Sequence, residues 1–186
     1  MKIFKLKEMR AYTIERQTLE QIKERGLHKR GFPEILSARE GPQHCEILME
    51  ALGSDLKALS EERPAKYFSP KTCFLIGVQI VERLRDLHQL HCVHNDLKLE
   101  NIITSRTDPK TLYLIDFGLT KPYVDEKGVH QSKMYLKKFS GNFLFASLNS
   151  CRGYNKSRRD DIESLFYVII YLLNQNKLPW SDFDKQ

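Results

Sequence analysis

No run of apolar residues here approaches the ~18 that a membrane-spanning helix needs; Ile169–Leu173 is far too short. No secretory signal is expected either, because MKIFKLKEMR lacks an apolar core followed by small residues. The four cysteines, Cys45, Cys73, Cys92 and Cys151, contain no Cys-x-x-Cys pair. Reduced thiols in an intracellular compartment are therefore expected. Basic residues form no block of five or six. Although 30 Lys and Arg against 24 Asp and Glu leave a charge of +6, that charge is scattered. With no aromatic-basic signature, no nucleic-acid partner is expected, and no membrane partner. Internal repeats and low-complexity linkers are absent as well. What remains is a chain of 186 residues, 41% hydrophobic and 29% charged, with enough apolar material for one packed domain.

The coarse pattern is mixed. Residues 2–6 predict a strand, and 8–25 a charged helix that stops at Gly26. Phe32–Arg39 and Cys45–Glu50 predict two strands joined by a turn at Gly41-Pro42. Ala51-Leu52-Gly53 is a short connector. A long helix is expected over Pro70–His91, with Ser69 as its cap and Phe74, Gly77, Ile80/Val81, Leu84, Leu87/His88 and His91 recurring at helical spacing. Leu112–Ile115 is a short apolar strand that runs into Asp116. A further helix, about Arg159–Leu173, is apolar nearly all round beyond Glu163, as in helices buried at a domain centre. Strands with one helix, followed by a mainly helical half, make an α+β pattern with two unlike lobes.

The chemistry lies in His94-Asn95-Asp96-Leu97-Lys98-Leu99-Glu100-Asn101, followed fifteen residues later by Asp116-Phe117-Gly118. The first fits the pattern H-R-D-L-x-x-x-N with one substitution, and the second is D-F-G. In order, at short distance, with a strand leading into the Asp, they resemble the catalytic loop and magnesium motif of a protein kinase. Phosphoryl transfer asks the protein to position groups and neutralise charge. Asp96 would accept the hydrogen bond of a substrate hydroxyl, and Lys98 would face the γ-phosphate. Asn101 and Asp116 would hold Mg2+, a hard cation that prefers oxygen.

Further motifs resemble the casein kinase 1 family in particular. Phe145-Ala146-Ser147-Leu148-Asn149 stands where most kinases have Ala-Pro-Glu and that family has Tyr-Ala-Ser-Ile-Asn. Ser157-Arg158-Arg159-Asp160-Asp161-Ile162-Glu163-Ser164-Leu165 is close to S-R-R-D-D-L-E-S-L; Leu178-Pro179-Trp180 matches L-P-W, and Met49-Glu50-Ala51-Leu52-Gly53 is similar to the hinge M-E-L-L-G. The resemblance covers about Ile14 to Trp180. It implies an ATP-dependent transfer to Ser or Thr hydroxyls of protein substrates by a monomer, in the cytoplasm and also the nucleus. It makes Met49 the gatekeeper, Glu50 and Leu52 the adenine-bonding backbone, Ile103 and Ile115 the apolar floor, and Glu15 the partner of the ATP lysine. Asp161 would brace the catalytic loop. Lys2 and Lys5 are both candidates for that lysine; the spacing to Glu15 and the side shared with Phe4 favour Lys2.

Departures from the family pattern qualify this. No G-x-G-x-x-G occurs, and the chain ends shortly after Trp180. The expectation is one incomplete kinase domain, with a partial N-lobe and hinge over 1–52 and a partial C-lobe over 53–186. The N-lobe would be a partial sheet with one helix, and the C-lobe truncated and mainly helical. Asn95 replaces the arginine before the catalytic Asp, so activation by loop phosphorylation is not expected. Leu144 replaces an arginine the family uses to read acidic or primed substrates, with Lys137, Lys138 and Arg152 as possible replacements. Asn142 replaces a threonine, with an amide able to bond near Asp96. Phe166 replaces a helix glycine. Two rival readings stand beside the enzyme. One is an inactive fragment or pseudokinase-like interaction module, against which the retained Asp96, Lys98, Asn101 and Asp116 argue. The other is a zinc site at His88, His91 and His94, which the end of the helix before His94 disfavours.

Overall fold

The computed structural model describes residues 1–62, 68–137 and 139–181. Strands β1 (Lys2–Lys5), β2 (Ile35–Glu40) and β3 (His44–Met49) form an antiparallel sheet in the order β1–β3–β2. Lys2 lies opposite Ile47, and Ile35 opposite Met49. Alternation along β1 buries Phe4 and leaves Ile3 outside, which puts Lys2 on the inner side with Phe4. Helix α1 (Met9–Glu24) covers that side with Tyr12, Glu15, Thr18, Leu19 and Ile22. It ends at Gly26, whose left-handed backbone (φ 66°) costs a glycine nothing in Cβ contacts. The second strand starts at Ile35, later than the expected Phe32. Pro33 has no N–H to give a ladder, and Phe32 turns inward against Phe117, ring centroids 6.1 Å apart.

The rest of the described chain carries most of the helices and two short strand pairs. Helix α2 (Leu56–Glu61) is capped by Asp55, which accepts the Ala58 N–H at 2.9 Å. Helix α3 (Pro70–Gln89) begins with the expected Ser69 cap, accepting the Thr72 N–H at 3.1 Å, and Pro70 in its first turn. Strands β4 (Cys92–Val93) and β7 (Lys121–Pro122) pair, as do β5 (Ile102–Thr104) and β6 (Leu112–Leu114). The single turn α4 (Leu148–Cys151) precedes α5 (Arg158–Leu173).

Two burial expectations need correction. The inward face of α3 is carried by Cys73, Ile76, Ile80, Leu84 and Leu87, while Phe74 and Val81 look outward. Contact with α5 sets this rotation, since Gly77 lies under Ile169 and its side lets the two helices approach. Helix α5 is not buried all round. Leu165, Val168 and Leu172 are inside, but Phe166 is 63% and Ile170 46% exposed. Among the described residues α5 packs chiefly on α3, so only one side of it is covered.

The two parts meet around Gly31. Its carbonyl accepts the Leu114 N–H at 2.9 Å. With φ 91°, a Cβ at residue 31 would fall 2.6 Å from the Leu112 carbonyl oxygen, so only glycine allows the approach. Arg30 adds an ion pair to the buried Asp86 at 3.2 Å. This junction delivers β6, and the carboxylate beyond it, to the inner edge of the sheet. No helix of the described residues is long and apolar enough to cross a membrane.

Candidate active site

Strand β6 carries the chain to Asp116, which takes a left-handed backbone (φ 66°) and so turns its carboxylate out of the strand line. Phe117 behind it is fully buried between Phe32 and His94, whose ring lies 5.6 Å away edge-on. His94 donates from Nε2 to the Ile115 carbonyl at 2.9 Å, and its Nδ1 accepts the Asp96 N–H at 3.3 Å. One imidazole thus fixes the loop of Asp96 to the strand of Asp116.

Asp161, from the first turn of α5, holds the same loop from below. Its oxygens accept the N–H groups of His94 at 2.8 Å and Asn95 at 3.0 Å, and also His88 Nε2 at 2.8 Å. Burial alone would raise the Asp161 carboxyl, but the His88 hydrogen bond and the backbone donors overcome it and hold the group below its ordinary value. His88 and His94 are committed to these contacts, and His91 is exposed beyond the helix with its ring 6.2 Å from Tyr123. No group of His, Cys, Asp or Glu among the described residues has metal-site geometry.

Asp96, Lys98 and Asn101 form one cluster. Asp96 Oδ2 accepts Lys98 Nζ at 2.9 Å and Asn101 Nδ2 at 3.3 Å, while Asn101 Nδ2 also donates to the Asp96 carbonyl at 2.8 Å. Both Asn101 bonds use the amide nitrogen, which leaves Oδ1 as a free-standing oxygen donor. Asn101 and Asp116 line the same cleft.

Across that cleft, Lys2 Nζ lies 2.5 Å from Glu15 Oε2 and 2.8 Å from Asp116 Oδ1. Lys5 is exposed on β1, and the structure brings Lys2 to the carboxylates. Burial lowers the Lys2 ammonium, yet the Glu15 and Asp116 charges together raise it above its ordinary value. Burial also tends to raise Asp116, but the Lys2 charge wins and depresses it. Glu15 is 1% exposed, and there burial outweighs Lys2, so its carboxyl is raised. The pair therefore splits unevenly, with the deeper carboxylate the more costly to keep charged.

The cleft encloses about 520 Å³, within the ~300–1,000 Å³ usual for small-molecule sites. Its lining gathers Lys2, Glu15, Met49, Glu50, Leu52, Asn101, Ile103, Ile115 and Asp116, residues spread over three strands, a helix, a 3-10 turn and two loops. Asp96 and Lys98 adjoin it through Asn101. The lining also includes Ala51, Gly53 and Glu100, which lie within the quoted motifs, and Met1 and Pro33, which carried no motif signal. The Glu50 N–H is taken by the Glu34 carbonyl at 3.0 Å, and Glu50 Oε1 accepts the Glu34 N–H at 2.9 Å. This pair of hydrogen bonds ties the connector to the segment before β2.

Other sequence candidates sit elsewhere. Asn142 Oδ1 accepts the Phe145 N–H at 3.2 Å, a local turn instead of a bond to Asp96. Leu144 packs against the core, with its carbonyl accepting Trp180 Nε1 at 2.8 Å. Lys137 and Arg152 are exposed, and Lys138 lies outside the described residues. Lys156, which had no sequence signal, is hydrogen-bonded to the carbonyl next to Asp96.

Comparison with known proteins finds a family and relatives. A model of the protein kinase domain matches residues 1–186. A probable casein kinase I homolog of Encephalitozoon cuniculi is 35% identical over 136 residues, covering 73% of this chain and 42% of that protein. Casein kinase I homolog 3 of Schizosaccharomyces pombe is 33% identical over 154 residues, covering 81% of this chain and 35% of that protein. The chain thus spans less than half the length of these curated relatives. Matched from end to end by that domain model, and similar in sequence to two casein kinase I homologues, the chain belongs to the protein kinase family.

Proposed function

We propose that this chain carries the catalytic centre of a serine/threonine protein kinase that uses ATP with Mg2+. The observation that supports it most directly is the bonding of Asp96, Lys98 and Asn101 into one cluster at the edge of the cleft that also holds Lys2, Glu15 and Asp116. The adenine ring fits between the floor residues Ile103 and Ile115 and the connector, with the Glu50 carbonyl and Leu52 N–H as its polar contacts. Lys2 neutralises phosphate charge and is itself oriented by Glu15.

Asn101 Oδ1 and the Asp116 carboxylate are hard oxygen donors on one cleft wall, a set that suits Mg2+. Bound there, the ion would neutralise phosphate charge. The substrate hydroxyl donates its hydrogen bond to Asp96. Its oxygen forms the new bond to the γ-phosphorus while the bond from that phosphorus to the β-bridging oxygen breaks; the hydroxyl proton passes to Asp96 and ADP leaves. Lys98 faces the oxygens of the group in transit. Protein substrates with Ser or Thr, a monomeric state and a cytoplasmic and nuclear location complete the reading, all by family resemblance. With Leu144 in place of an arginine, a preference for acidic substrates is not part of it.

The test is an ATP–Mg2+ thermal shift together with transfer of labelled γ-phosphate to a Ser-containing protein, for the 186-residue chain and its Asp96→Asn variant. Stabilisation by ATP–Mg2+ with transfer in the first and none in the second is expected. Stabilisation without transfer in either would favour a pseudokinase-like interaction module.

A further inference from the structure

Residue 95 directly precedes Asp96, and its backbone is left-handed (φ 71°). That conformation is uncommon outside glycine, so it must be held by its neighbours. The Asn95 N–H goes to Asp161, and Asn95 Nδ2 donates to the Leu119 carbonyl at 2.7 Å. The remaining backbone group, the Asn95 carbonyl, accepts Lys156 Nζ at 2.9 Å. The same ammonium donates to the Ser140 carbonyl, also at 2.9 Å. Lys156 comes from the loop just before α5. One cation therefore joins the Asp96 loop, the segment of Ser140 and the foot of α5.

The junction is closely built. Gly141 has φ 106°, and a Cβ there would fall 2.5 Å from the Asn95 carbonyl oxygen and 3.0 Å from Lys156 Nζ. A cavity of about 110 Å³ borders it, lined by Asn95, Ser140, Asn155 and Lys156. Burial pushes the Lys156 ammonium below its ordinary value, with the Asp161 and Asp96 charges opposing. A solvated surface lysine has no need of two main-chain acceptors, whereas one drawn out of water does. The kinase pattern has an arginine at the place of Asn95. Here that residue is neutral, and a positive charge arrives at the same point from another element.

We propose that Lys156 is a positioning residue that clasps the Asp96 loop to the Ser140 segment, aligning Asp96 without any modification of that segment. The catalytic part rests on the kinase reading; the clasp itself does not.

The full chain and its Lys156→Gln and Lys156→Arg variants test it by hydrogen–deuterium exchange over residues 92–101 and 136–146, beside steady-state phosphorylation. Lys156→Gln should speed exchange in both segments by roughly tenfold or more and lower kcat by a similar factor, with KM for ATP within about twofold. Lys156→Arg should restore much of both. Unchanged exchange in both segments overturns the proposal, as does an Arg variant no better than Gln. Faster exchange spread equally over α1 and the sheet would mean a general loss of stability and overturns it too. A wild-type chain that transfers no phosphate would sink the kinase reading, while the exchange data would still decide the clasp.

Discussion

Lys2 Nζ and Glu15 Oε2 are 2.5 Å apart although thirteen residues separate them, and Asp116 Oδ1, from the far side of the cleft, meets the same ammonium at 2.8 Å. The pair spans β1 and α1, so the lysine is placed by two elements of the sheet layer and read by a carboxylate of the other half. Lys2→Met should weaken ATP–Mg2+ binding by about tenfold or more, as loss of a charged hydrogen-bond donor implies. Lys5→Met should leave it within about twofold. Isothermal titration of both variants checks this, and the reverse order would reassign the ATP lysine.

The pH behaviour of this trio has a definite sign. Glu15 is raised above 4.5 and takes up a proton first as the pH falls. Asp116 is depressed, so its stabilising charge, fully present above the unfolded value of 3.8, is lost only as the pH drops through its lower folded value. Lys2 is raised, so its contribution is present below 10.5 and lost as the pH climbs through its folded value. ATP affinity should therefore begin to fall on the acid side above pH 4.5, before Asp116 titrates. A Glu15→Gln variant should lack that first step in a titration of Kd against pH.

Asp116→Asn should abolish Mg2+-dependent transfer, on the order of a hundredfold or more, because a neutral amide replaces the charged oxygen donor. Loss of transfer with the fold intact by circular dichroism is the expected pattern. Unchanged turnover would contradict the metal role.

Asp161→Ala should be far more damaging to stability than to any single contact. It leaves the His94 and Asn95 N–H groups and His88 Nε2 buried without their acceptor. The expected loss is about 3–5 kcal/mol, read from the urea midpoint. Asp161→Asn keeps one acceptor oxygen and should lie between. Because Asp161 is depressed, its contribution is complete above pH 3.8 and fades only as the pH falls through its folded value.

Much of the site was legible because local patterns carried it. Ser69-Pro70 announced a helix start, Gly26 a helix stop, and the apolar run Leu112–Ile115 a strand leading into the Asp116 carboxylate. The faces of α3 and α5 were less legible. Phe74 fits helical spacing yet points outward, because rotation about a helix axis is set by the partner it packs on, here Ile169 over Gly77. Lys156 was invisible, since nothing in Asn155-Lys156-Ser157 distinguishes a half-buried ammonium bonded to main-chain carbonyls from a solvated one.

The order of residues by itself determined the chemistry on offer, three carboxylates, an amide and two ammonium groups at fixed separations along the chain, because side-chain identity and short-range spacing are local properties. Only the tertiary structure decided that Lys2 and not Lys5 meets Glu15 and Asp116, and that Lys156 reaches the carbonyl beside Asp96. Those contacts join residues from 13 to 114 positions apart, and such distances close only when packed helices and a twisted sheet bring the chain back on itself.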